Sequence, residues 1–166
     1  MNSEFKVHEA QFYEAIGRAL SAWQSVEAQL TPIYIAILGA KNIRAASMSF
    51  SSVTSLGARL NMLNAAARNS DNDDLESAVI GLTEKIRKKS QGRNKLAHFM
   101  YNAVTDEAGS TKIYLANTKY GPSNWDSDVV EIDKIVAWES EWRELLLAAT
   151  DCYITVLNTG ISADDS

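Results

Sequence analysis

The 166-residue chain is long enough for one buried core and short for two, and its 46% hydrophobic and 22% charged residues are ordinary for a globular protein. Its single cysteine, Cys152, excludes an intramolecular disulfide, and no stretch reaches the ~20 apolar residues of a membrane span. A net charge of −5 and a pI of about 5.0 exclude attraction to nucleic acid by the overall field, so any such contact must come from a local patch.

The N-terminal stretch MNSEFKVHEA carries no apolar leader segment, and the expected location is the cytoplasm. Only two prolines and eight glycines interrupt a chain rich in alanine and leucine, which favours long helices. The first helix is expected over 8–38: Phe12, Ile16, Leu20, Trp23, Val26 and Leu30 recur at three- and four-residue steps, and Ile33, Ile37 and Leu38 continue the stripe. Pro32 should kink or break it, because proline lacks the N–H and crowds the preceding turn. A second helix is expected over 51–68, with Val53, Leu56, Leu60, Leu63 and Ala67 on its buried face. The polar run 69–74 is a loop that also caps the next helix.

The third helix begins near Asp74 with the stripe Leu75, Val79, Leu82 and Ile86, which extends by the same steps to Arg93, Ala97 and Met100. Two β-prone runs around the turn-rich 106–110 predict a small hairpin within 101–130, and 121–124 is another turn. The last helix is expected over 132–157, carrying Ile132, Ile135, Val136, Trp142, Leu145, Leu146, Ala149, Tyr153 and Val156. Asn158-Thr159-Gly160 should end it. The whole chain, 1–166, then reads as one all-α domain with a core at about 8–158, a disordered acidic tail at 159–166 and a β-hairpin inserted before the last helix.

Few residues offer chemistry. One cysteine and two histidines cannot furnish the four ligands of a structural zinc site, so no metal is expected, and no phosphate or dinucleotide fingerprint implies a cofactor. Cys152 lies within an apolar helix and reads as a buried thiol. His8 reads as a solvated residue near the terminus. Trp23, Trp125, Trp138 and Trp142 could line a pocket, although core or interface packing is the commoner role.

His98 stands beside the densest basic cluster of the chain: Lys85, Arg87, Lys88, Lys89, Arg93 and Lys95. At ~100° per residue, Arg87, Gln91, Asn94 and His98 share one side of the third helix. Arg93 instead continues the apolar stripe, where a charge is costly unless paired or near solvent. Three outcomes remove the conflict: Gly92 loosens the helix there, a carboxylate such as Glu27 pairs with the arginine, or the stripe opens into a cleft where Arg93 meets an anion.

The run Arg93-Asn94-Lys95-Leu96-Ala97-His98 resembles the R-N-x-x-x-H form of the R-x(4–6)-H motif of HEPN domains. The first-helix pattern of Trp23, Val26, Glu27 and Leu30, and the segment SMSFSSVTSLGARLNML, are similar to the first two helices of HEPN-like proteins, so the resemblance covers most of 10–157. It implies a HEPN-like four-helix up-and-down bundle that forms a homodimer, with Arg93 and His98 of both protomers in a shared cleft. It also implies a metal-independent endoribonuclease of a toxin or defence system, with RNA and a cognate antitoxin or partner protein as partners. The alternative within the family is a non-catalytic interaction or regulatory module that binds a protein or nucleotide, in which Arg93 forms a structural ion pair and His98 caps helix carbonyls.

In the nuclease reading, a histidine from each protomer supplies base and acid, Arg93 stabilises the phosphate, and Asn94 orients the imidazole or binds a phosphate oxygen. Arg87, Lys88, Lys89 and Lys95 lead the RNA in, and Glu27 supports the arginine. Members paired with nucleotidyltransferase antitoxins carry R-x4-H-x-Y. Here Met100 holds the tyrosine's place and Tyr101 follows it, so that partnership is not expected.

Overall fold

The computed structural model describes residues 3–107, 109–117 and 128–161. The chain is mostly helical, with a small antiparallel sheet before the last helix. In order, the elements are α1 (Ser3–Ile37), α2 (Ile43–Ser51), α3 (Leu56–Arg68), α4 (Asp73–His98), β1 (Met100–Thr105), β2 (Thr111–Ala116), β3 (Val129–Val130) and α5 (Ile132–Ile161). They form two compact units, one of Met1–Trp23 with Ser90–Trp142 and one of Gln24–Lys89 with Arg143–Ser166. Helices α1, α4 and α5 each contribute a segment to both. No helix among the described residues is long and apolar enough to cross a membrane.

In the unit containing α2 and α3, the core is built from Val26, Leu30 and Ile33 of α1, Leu60, Leu63 and Ala67 of α3, Leu75, Val79, Leu82 and Ile86 of α4, and Leu145, Ala149, Cys152 and Val156 of α5, all buried. Phe50 is fully buried and stacks on Tyr34 with ring centroids 4.7 Å apart. Pro32 removes one donor but does not end α1, which continues to Ile37 with Ile33 fully buried. The helix expected over 51–68 starts later, at Leu56, and a separate helix precedes it. Ser52 closes α2, and the Ser55 side chain accepts from the Ala58 N–H at 3.4 Å to start α3. Helix α2 itself was not expected. Phe50 is its one buried residue, whereas Ile43 and Met48 stand in solvent, so it shows no apolar stripe. Asn42 caps it through the Ala45 N–H at 3.0 Å. Asn72 caps α4, accepting from the Leu75 N–H at 2.9 Å, as the polar loop suggested.

In the other unit, β1 and β2 form the expected hairpin, from Met100 opposite Ala116 to Thr105 opposite Thr111. Its turn places Gly109 at φ 84°, in the left-handed region that glycine tolerates. The short β3 adds a third strand through Leu115 opposite Val130, too brief for the alternation that marks a strand in sequence. The core holds Phe12, Trp23, Leu96, Leu115, Ile135, Trp138 and Trp142. Trp142 meets Trp23 edge-on at 5.2 Å and lies parallel to Trp138 at 6.1 Å.

One boundary and one buried position differ in the last helix. Helix α5 does not stop at Asn158-Thr159-Gly160 but runs to Ile161, with the Thr159 hydroxyl bonded back to the Thr155 and Val156 carbonyls. Val136, expected on its buried stripe, is exposed. The turn at 121–124, Trp125 and the tail at 162–166 lie outside the described residues.

Candidate functional site

The last turns of α4 carry the motif, and their setting is fixed by Gly92. A Cβ built on Gly92 would stand 2.8 Å from the Trp138 indole of α5. Only a bare α-carbon lets the indole lie that close, so this glycine is a seat for Trp138. It does not loosen α4, which remains helical to His98. The buried line after Ile86 therefore passes through Gly92 and Leu96. The expected extension through Arg93, Ala97 and Met100 is corrected: Arg93 is half-buried, and Ala97 and Met100 are exposed. The contact with Trp138, which sets this line, is invisible in the periodicity of α4 alone.

Anchoring Gly92 and Leu96 turns the motif side chains away from the core. Asn94 and His98 are exposed, as are Arg87 and Gln91 on the same side of the helix. The Arg93 guanidinium donates to the Asn94 side-chain amide oxygen Oδ1 at 3.4 Å, a long and weak bond. Among the described residues no carboxylate pairs with Arg93, and the His98 imidazole makes no hydrogen bond. Glu27 is engaged elsewhere: its half-buried carboxylate accepts from Arg59 of α3 at 2.5 Å. Nothing in the sequence signals this pair with Arg59.

The basic cluster is not uniformly available. Arg87 donates to Asn61 of α3 at 2.5 Å, Lys88 is exposed and Lys89 is half-buried. Lys95 is committed to a salt bridge with Asp128, and its ammonium stands 5.6 Å from the Phe99 ring centre. Its charge is matched before any ligand arrives.

Just past the motif, Tyr101 points onto α1. Its hydroxyl donates to Glu9 at 2.9 Å, and its ring meets Phe12 edge-on and stacks on Tyr13. Burial, followed by the Glu9 carboxylate, pushes its pKa up to about 12, which keeps the phenol protonated. Met100 opens β1 with its side chain in solvent.

Elsewhere the chemistry is sparse. His8 borders a cleft of about 230 Å³ with Phe12, Ile113, Ile132 and the Lys112–Glu131 ion pair, 2.7 Å apart. Cys152 is buried, which raises its thiol to about 11, well outside the range of a reactive cysteine. Among the described residues no three His, Cys, Asp or Glu side chains gather to hold a metal ion. Of the residues that matter here, sequence reasoning missed the role of Gly92 and the Tyr13–Tyr101 stack. The glycine stood next to the motif, but its partner lies on another helix. No family model matches the chain, and no curated protein or solved structure matches it.

Proposed function

We propose that this chain is a HEPN-like endoribonuclease that works as a homodimer without metal, in a cytoplasmic toxin or defence system. In this reading α1, α3, α4 and α5 are the four helices of an up-and-down bundle, α2 is a short addition, and the α4 ends of two protomers face one another. The observation that carries the proposal is the state of the motif. Arg93, Asn94 and His98 stand together beyond the Gly92–Trp138 anchor, and neither the guanidinium nor the imidazole is consumed by an ion pair among the described residues. A structural ion pair for Arg93, which the non-catalytic reading requires, finds no partner there.

The chemistry follows from those groups. A 2′-hydroxyl of RNA attacks the adjacent phosphorus while His98 of one protomer takes its proton. The P–O5′ bond breaks, and the partner subunit's His98 gives a proton to the departing oxygen. The products are a 2′,3′-cyclic phosphate and a 5′-hydroxyl. Arg93 places its planar fork on the non-bridging oxygens as charge builds there, and Asn94, one turn before His98, holds the imidazole or an oxygen. Arg87, Lys88 and Lys89 would line the approach, with Lys95 held back by Asp128. A cognate antitoxin or partner protein would cover the exposed end of α4.

The test is incubation of purified protein with RNA in EDTA beside His98→Ala. Cleavage to cyclic-phosphate ends by the parent and none by the variant is expected. No cleavage, or equal cleavage by both, overturns the proposal.

A further inference from the structure

Tyr13 projects from α1 with 52% of its surface in solvent, yet one face of its ring is already stacked on Tyr101, centroids 5.3 Å apart and planes 17° from parallel. Tyr101 is itself fixed, by its hydroxyl on Glu9 and by the edge of Phe12. The stack is thus a rigid two-ring shelf with an outer aromatic face open.

A second observation concerns Gly17, one turn after Tyr13. Helical side chains lean toward the N-terminus, so a side chain at position 17 would lie over the turn that carries Tyr13. A Cβ at Gly17 meets no atom within 4 Å, so packing does not require the glycine. Mid-helix glycine is nevertheless costly relative to alanine. Its effect is to leave the ground beside Tyr13 bare. The shelf also stands near the motif, because Tyr101 is three residues past His98 and the chain between them spans at most ~11 Å.

We infer that Tyr13, backed by Tyr101 and cleared by Gly17, is a stacking subsite for an unpaired nucleobase of a single-stranded RNA, next to the scissile phosphate. This rests on the nuclease reading above. An open π-face suits bases of every kind, because each has a flat face and none needs an edge contact. The nearby acids leave the shelf without net positive charge: Glu9 accepts from the Tyr101 hydroxyl and keeps its charge, and Arg18 is shared by Glu14 and Glu139, each at 3.3 Å, so the subsite holds a base by stacking and not by charge. Paired bases cannot reach the shelf, so the subsite favours single strands.

The experiment measures binding of a fluorescent single-stranded oligoadenylate in EDTA, with His98→Ala as parent so that no cleavage intervenes. Adding Tyr13→Ala should weaken binding about 5- to 150-fold, the range of one base–aromatic stack, while Tyr13→Phe retains it. Adding Gly17→Gln, which favours the helix, should keep or raise the melting temperature and still weaken binding. Folded Tyr13→Ala and Gly17→Gln proteins that bind as the parent does overturn the subsite and leave the nuclease reading standing. A parent that binds no RNA at all overturns both.

Discussion

At the residue scale, Gly92 and His98 do opposite things within two turns of one helix. Gly92 is there for fit. Replacing it with alanine gains helix propensity but drives a methyl into the Trp138 indole, and overpacking of this kind costs ~1–3 kcal/mol. Gly92→Ala should therefore lose net stability in urea denaturation, whereas Gly81→Ala on the same helix, where a Cβ meets nothing within 4 Å, should be neutral or gain up to ~1 kcal/mol. Equal behaviour of the two variants would refute the seat. In the proposed nuclease, His98 and Arg93 are there for reach. Among the described residues Arg93→Ala strands no buried carboxylate, so its stability loss should stay below ~1 kcal/mol, while the nuclease proposal has RNA cleavage collapse. A large drop in melting temperature would instead mark Arg93 as structural.

At the scale of elements, the hairpin is fastened to α1 through Tyr101. The folded phenol titrates near 12 against 10 for an ordinary tyrosine. A raised folded pKa contributes stability that is complete below pH 10 and is lost as pH rises through 12. Urea titrations from pH 9 to 12 should show the wild type losing more stability than Tyr101→Phe, which lacks the titrating group. Parallel curves would mean that neither burial nor the Glu9 bond raises the folded phenol. The hairpin itself was legible in the sequence because two β-prone runs flank a turn at 106–110. The division between α2 and α3 was not. One buried phenylalanine cannot draw a stripe, and the caps at Asn42 and Ser55 are brief signals, the second at the end of a serine-rich run. The same limit hid the true end of α4, because a helix's own periodicity cannot say which neighbour it will meet. Leu96 and Gly92 are buried by what lies across from them, and Arg93 only looked like part of the stripe.

At the scale of the whole molecule, each chain offers one histidine at the motif, and acid–base cleavage of RNA asks for two proton-transfer groups. That mismatch is what makes a homodimer central to the account. The motif was readable from the sequence as residue types at a spacing, and so was its helical setting. Its freedom from carboxylate partners among the described residues was not, because nothing in the sequence says that Glu27 bonds to Arg59. The most direct measurement mixes wild type with increasing His98→Ala protein, allows subunits to exchange, and follows RNA cleavage in EDTA. A shared cleft that needs both histidines predicts cleavage falling with the square of the wild-type fraction. Cleavage falling only in proportion to that fraction, or absent from pure wild type, would contradict it.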